Sequence, residues 1–206
     1  MFDLAARPDI IAAHLMQDTT LKKRVSQNPG LRVPGAFDGF ELAVRAILGQ
    51  QITVQAATKI ACRYAEAFGE KIETPFPELT RLTPQAQKFT CATVEDIARL
   101  GIIRTRAACI LALADGFRSG RLQLDPGAHP EAAIAQLVTL PGIGPWTAHY
   151  IAMRALRWPD AFPKEDIAVR NNLGGVTAKQ AEEMSQAWRP WRSYAVMHVW
   201  NGLAKK

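Results

Sequence analysis

Leu140-Pro141-Gly142-Ile143-Gly144-Pro145-Trp146-Thr147-Ala148 is the stretch on which the reading of this chain turns. Its two glycines lie between apolar runs with helical spacing: Ile134, Leu137 and Val138 before them, Ala148, Ile151, Ala152 and Ala155 after. That spacing predicts two helices joined by a very short turn, a hairpin covering about residues 130–157. Glycine permits positive φ and leaves no Cβ between backbone and ligand. The N–H groups that open the second helix, aided by its dipole, then form an anion site. Gly-x-Gly alone describes an ordinary helix–helix turn equally well, because short glycine turns are common there.

Working outward, nearly every apolar segment has helical period. A short helix begins near Pro8, with Ile10, Ile11 and Leu15, and a loop through Asn28, Pro29, Gly30, Pro34 and Gly35 follows. Residues 38–48 carry Phe40, Val44, Ile47 and Leu48 on one face. After Gly49 a longer helix places Ile52, Ala56, Ile60, Tyr64 and Phe68 four apart, and Gly69 stands where a C-terminal cap belongs. Three prolines make residues 70–90 an irregular connection. Thr93 to Asp96 reads as a capping box opening a helix that ends at Gly101, and residues 104–117 form the next. Asp125-Pro126-Gly127 marks a turn, and Pro130 suits a helix start. Asp166 opens a short helix, Thr177 caps another, and the last runs from Pro190 to Leu203. No segment reads as a strand, so the expected class is all-α. Residues 99–110 (RLGIIRTRAACI) loosely repeat the helix–glycine–helix plan of TLPGIGPWTAHYI, without the paired glycines.

The 206 residues are 48% hydrophobic and 21% charged, the balance of a globular chain. No run reaches the roughly 20 apolar residues of a membrane span. The N-terminus is broken by Asp3, Arg7, Pro8 and Asp9 and lacks signal-peptide character, so a cytoplasmic, nucleoid-associated protein is expected. A net charge of +6 favours a polyanionic partner, with the basic face assembled by folding because Lys and Arg are scattered. Cys62, Cys91 and Cys109 are widely spaced and odd in number, which argues against disulfides or a zinc site and for reduced, mostly buried thiols.

The hairpin stretch, followed about twenty residues later by Asp166, resembles the helix-hairpin-helix DNA glycosylases. Residues Phe40 to Gln51 (FELAVRAILGQQ), Leu100-Gly101 with Arg106-Ala107, and Trp188-Arg-Pro-Trp-Arg-Ser-Tyr194 with His198 and Trp200 are similar to the 3-methyladenine DNA glycosylase II family. The likeness covers about residues 30–203. It implies one glycosylase unit spanning 1–206: a two-lobed all-α fold, its active site in the cleft between the lobes, without the family's N-terminal β-rich domain. It also implies the activity, namely hydrolysis of the N-glycosidic bond of alkylated purines in double-stranded DNA. No oligomerisation is indicated.

The resemblance assigns Asp166 as the catalytic carboxylate, which would stabilise the positive charge that develops on the sugar. Asp is equally a favoured helix N-cap, and Glu165 is a second carboxylate one position early. Asn caps about as well without the charge, so Asp166→Asn is expected to keep its melting temperature and lose base excision. Superfamily members that also cut the strand carry lysine where this chain has Trp146. An indole is no amine nucleophile, so simple hydrolysis is expected. No iron–sulfur cluster or other cofactor is expected from three cysteines, though the hairpin leaves room for a monovalent cation.

Trp146, Tyr150 and Trp191 match positions around the family's base pocket, where a cationic alkylated base would stack on aromatic faces. Each is also a reasonable core aromatic. Gln50 and Gln51 occupy the wedge segment that fills the gap left by a flipped base, with Gln51 standing where some relatives have an apolar side chain. Gly142, Ile143, Gly144 and Thr147 are the expected phosphate-binding residues. Three alternatives stay open: a non-catalytic DNA-binding module, a glycosylase for uracil, hypoxanthine or ethenoadenine, and an unrelated small-molecule hydrolase, the last without a Ser–His or metal constellation.

Overall fold

A computed structural model describes residues 1–201. Its helices are α1 (Pro8–Leu15), α2 (Thr19–Gln27), α3 (Gly39–Leu48), α4 (Val54–Phe68), α5 (Val94–Ala98), α6 (Arg104–Arg118) and α7 (Pro130–Leu137). After the hairpin come α8 (Pro145–Arg154), α9 (Ile167–Asn172), α10 (Ala178–Ser185) and α11 (Arg192–Asn201). Among the described residues there is no strand beyond one isolated bridge between Lys71 and Arg81, so the all-α expectation holds. Leu203, the expected end of the last helix, lies outside the described residues. None of the described helices is long and apolar enough to cross a membrane.

The chain divides into two compact units, Asp38–Gly144 and the pair of segments Met1–Phe37 with Pro145–Lys206. The central unit is organised around aromatic rings. Phe40 of α3 meets Phe117 of α6 edge-on at 5.2 Å, and Tyr64 of α4 stacks on Phe89 at 5.6 Å. Three helices here carry side-chain caps, the Thr93 box among them as the sequence indicates. Asp38 accepts from the Glu41 N–H, Thr53 from Ala56, and Thr93 and Asp96 close the reciprocal capping box of α5. Pro130 opens α7 at its first position.

Gly69 is needed for a different reason from the one the sequence suggests. Its backbone is extended (φ −73°, ψ 148°), not left-handed. A Cβ there would lie 2.3 Å from the Leu82 carbonyl oxygen and 2.4 Å from that of Ala65, so only glycine allows the approach. The expectation of mostly buried thiols is also corrected, because Cys62 and Cys91 are exposed and only Cys109 is buried. Burial pushes the Cys109 thiol up to about 11.

The other unit contains a helix that periodicity did not reveal. The loop expected after α1 begins only at Asn28, and residues 19–27 form α2. Its sequence, TTLKKRVSQ, has just Leu21 and Val25 as apolar residues, one turn apart and both buried. Asp18 starts it by accepting from the Thr20 and Leu21 N–H groups, and the Trp188 indole donates to the second Asp18 oxygen at 2.8 Å.

A buried ion cluster fixes the approach to α11. The Arg192 guanidinium grips Asp160 with two hydrogen bonds (2.8 and 3.0 Å) and reaches Glu182 at 3.1 Å. Arg189 adds a third hydrogen bond to Asp160 at 2.6 Å. The Ser193 hydroxyl donates to the Trp158 carbonyl, and the Tyr194 hydroxyl to Asp3. Most of the WRPWRSY motif is thus occupied in holding this unit together.

Candidate active site

Asp166 is the N-cap of α9. Its Oδ1 accepts from the Val169 N–H at 2.7 Å, and its Oδ2 accepts from the Trp146 indole N–H at 2.7 Å. Both oxygens are therefore fixed from opposite directions. Asp166 as a residue is 8% exposed, yet the next residue, Ile167, is 70% exposed. Asp166 is thus held at both oxygens and followed directly by an exposed apolar side chain. Glu165 is placed differently, with a buried Oε2 that has no hydrogen-bond partner among the described residues.

Trp146 sits in the first turn of α8 and Tyr150 one turn later. Their rings stack at 5.5 Å and 6°. The Arg154 guanidinium lies 5.6 Å from the Tyr150 ring centre, and Trp200 tilts against the same ring at 6.3 Å. Tyr150 is thus already engaged on several sides. Trp191 precedes α11 and meets Tyr194 edge-on at 5.8 Å, with no ring contact to the Trp146 stack among the described residues. Trp200, which entered the sequence reading only as part of the family motif, joins the aromatic group through Tyr150. Its spacing on α11 carried no signal of that contact.

His149, between Trp146 and Tyr150, turns the other way and stacks on Trp158. Burial holds its imidazole below its ordinary range, with Glu165 pulling the opposite way. Among the described residues, no group of three or more His, Cys, Asp or Glu side chains could hold a metal ion.

The hairpin turn has Gly142 at φ +91°. Gly142 and Gly144 are exposed, and a Cβ on Gly144 would meet nothing within 4 Å. Two of the expected anion-binding residues are placed otherwise. The Ile143 N–H is used inside the turn, donating to the Leu140 carbonyl at 3.1 Å, and its side chain is buried. Thr147, in the first turn of α8, is buried at 4% exposure. Gly144, exposed at the end of the turn, leads directly into the first turn of α8.

The expected wedge segment follows α3. Gln51 is exposed and adopts φ +53°, a left-handed conformation that a residue other than glycine rarely takes. Gln50 is half-buried, and its Nε2 donates to the Gly142 carbonyl at 2.9 Å. The two glutamines therefore stand in different situations, one presented and one tied down.

The HhH-GPD superfamily profile, described as base excision DNA repair protein, matches residues 44–193. The chain belongs to this superfamily. An AlkA N-terminal domain profile also matches residues 1–38, so the family likeness reaches beyond the 30–203 span of the motifs and takes in α1 and α2. The chain is 36% identical over 200 residues to DNA-3-methyladenine glycosylase 2 of Escherichia coli, covering 97% of this chain and 68% of that protein. It is 39% identical to a probable bifunctional transcriptional activator/DNA repair enzyme AlkA of Mycobacterium tuberculosis, of which it spans only 41%. In fold it is similar to the DNA-3-methyladenine glycosidase of Bacillus halodurans (TM-score 0.77, 20% identity, 100% of this chain and 94% of that one). It is likewise similar to the 8-oxoguanine glycosylase/lyase of Clostridium acetobutylicum solved with double-stranded DNA (TM-score 0.84, 22% identity, 99% and 72%). One fold thus serves enzymes with and without lyase in their names, and residue chemistry has to separate them.

Proposed function

We propose that this chain is a monofunctional DNA glycosylase that removes alkylated purines, such as 3-methyladenine, from double-stranded DNA and leaves an abasic site. The reading rests above all on Asp166, a carboxylate held by two donors beside the partly exposed Trp146 ring. Relatives at 36% and 32% identity bear the name DNA-3-methyladenine glycosylase, which supports the same substrate class.

In this reading the target nucleotide leaves the stack, because the glycosidic bond is unreachable inside a duplex. Alkylation at a ring nitrogen makes the base cationic and a good leaving group. Trp146, backed by Tyr150, and Trp191 offer aromatic faces to that cation. As the bond lengthens, positive charge passes to the sugar and Asp166 stabilises it electrostatically. With its position fixed beforehand, the carboxylate need not reorganise during the reaction. Water then adds at the anomeric carbon. Trp146 has no amine to form a Schiff base, so the strand stays intact. The N–H groups of Gly144 and Thr147 would hold a backbone phosphate, and Gln51 would fill the vacated space.

The test is a product assay on duplexes that each hold one defined lesion, with and without alkali. Free alkylated purine, with strand breaks appearing only after alkali, is the expected result. Breaks without alkali would overturn the monofunctional assignment. Release of uracil, hypoxanthine or ethenoadenine in place of alkylated purines would move the substrate class. Binding without release of any base would leave a DNA-binding module.

A further inference from the structure

We propose that Gln50 is not a wedge but a positioning residue that couples the wedge to the phosphate-binding hairpin, a role that rests on the glycosylase reading above. Gln50 is held at both ends. Its backbone carbonyl accepts from the Arg106 guanidinium, which also reaches the Leu48 carbonyl at 3.5 Å. Its side-chain amide donates to the Gly142 carbonyl at 2.9 Å. A side chain tied to the hairpin cannot at the same time enter a duplex.

The acceptor is itself rigid. Gly142 is left-handed, and the Ile143 N–H closes the turn onto Leu140. A Cβ on Gly142 would lie 3.6 Å from the Cys109 Cβ and 3.7 Å from its Sγ, so the buried Cys109 side chain supports the turn from below. Arg106 and Cys109 are three residues apart on α6 and share a face. One turn of α6 therefore carries both the wedge segment and the hairpin, and the Gln50 amide bridges them directly.

The consequence falls on Gln51. Its left-handed backbone follows immediately after the tethered residue, so the direction in which it projects is set by the hairpin. A hairpin seated on a phosphate would then present Gln51 at a fixed depth and angle to the base stack. Docking and base extrusion become one event rather than two.

The test compares the wild type with Gln50→Met, which keeps length and bulk but removes the donor. Single-turnover release of 7-methylguanine is measured from a paired duplex and from a duplex with an abasic site opposite the lesion, where extrusion is already easy. Loss of one neutral hydrogen bond makes Q50M about tenfold slower on the paired duplex and no more than about twofold slower on the other. Arg106→Lys, which keeps a donor, retains more paired-duplex activity than Arg106→Ala. If Gln50 were itself the wedge, a bulky apolar Met would serve as well and the paired-duplex rate would match the wild type. That result, or equal deficits on both substrates, overturns the coupling. Unstacking is followed separately by 2-aminopurine fluorescence beside the lesion. A smaller signal for Q50M, from a wild type that unstacks the duplex yet releases no base, would retire the excision reading and leave the coupling standing.

Discussion

The molecule contains its own control for the proposed catalytic aspartate. Asp18 and Asp166 are both helix N-caps, and each receives an indole N–H on its second oxygen, from Trp188 at 2.8 Å and from Trp146 at 2.7 Å. Asn at either position keeps one acceptor oxygen and turns the other into an amide N–H2, which then faces a donor. Each substitution forfeits a hydrogen bond to a charged acceptor, worth about 1.5–3 kcal/mol. Both variants should therefore lose about 2 kcal/mol, or roughly 4–8 °C in melting temperature for a chain of this size. The sequence-based expectation that Asp166→Asn melts like the wild type fails on this second bond.

Activity should separate the pair. A carboxylate about 4 Å from a cationic sugar, at an effective dielectric near 20, contributes about 4 kcal/mol. Removing it slows base release about a thousandfold. Asp166→Asn loses that rate and Asp18→Asn does not, although both melt early. Adding Trp146→Phe to Asp166→Asn removes the opposing donor and recovers about 1 kcal/mol of stability without recovering rate, a double-mutant coupling that a simple cap would not show. Thermal melts and single-turnover base release, run below the lower melting temperature, supply both numbers. Release by Asp166→Asn within tenfold of the wild type, or equal rate losses for the two aspartates, would refute the reasoning.

Three further outcomes follow from the packing. His198 is buried, and burial pushes its imidazole down to about 4 from an ordinary 6.5, against a smaller opposing effect from its backbone hydrogen bond to Arg24. The folded state disfavours its protonation, so this stability is complete above pH 6.5 and is lost as pH falls toward 4, by about 3 kcal/mol in all. Denaturant midpoints for the wild type and His198→Asn should converge across that window, and parallel pH curves would contradict it. Arg192→Ala strands the buried Asp160 and should cost about 3–5 kcal/mol, whereas Arg189→Ala, whose side chain is half exposed, costs about 1 or less. Equal losses in urea titrations would mean that burial does not decide the matter. Gln51→Gly relieves a left-handed conformation worth about 1 kcal/mol, raising the melting temperature by about 2–4 °C while slowing release from paired duplex. Unchanged release would remove Gln51 from the wedge.

Elements with a strong apolar period or a reciprocal cap were legible in the sequence. The capping box at Thr93 and the cap at Thr177 formed as read, as did the proline starts of α1 and α7, and Gln180 makes the Thr177 cap reciprocal as well. Helix α2 escaped because its nine residues bury just two apolar side chains, too few to register as a period. Its one local signal was Asp18, whose weight as a cap depends on Trp188, 170 residues away. The same limit applied at the site. That Asp166 caps a helix was readable from local sequence, but the indole holding its second oxygen was not, since neighbouring sequence says nothing about a donor twenty residues earlier. Nor could spacing separate Gln50 from Gln51. Adjacent glutamines look alike until one backbone turns left-handed and the other side chain finds a carbonyl 92 residues away.

The faint internal repeat gains a physical meaning from the coordinates. Gly101 and Gly142 are both left-handed, at φ +81° and +91°. In each copy the following isoleucine, Ile102 or Ile143, is buried, and a helix starts three residues after the glycine. Ala107 and Ile110 of α6 occupy the same register as Ala148 and Ile151 of α8, and all four are buried. The copies differ where function would require it. The hairpin has exposed Gly144 where the first copy has the branched, exposed Ile103. The first copy has instead given its helix to support, with Arg106 gripping the wedge segment and Cys109 beneath the turn of the second. One helix–glycine–helix plan thus occurs twice, and Ile103 against Gly144 separates the proposed anion site from its counterpart.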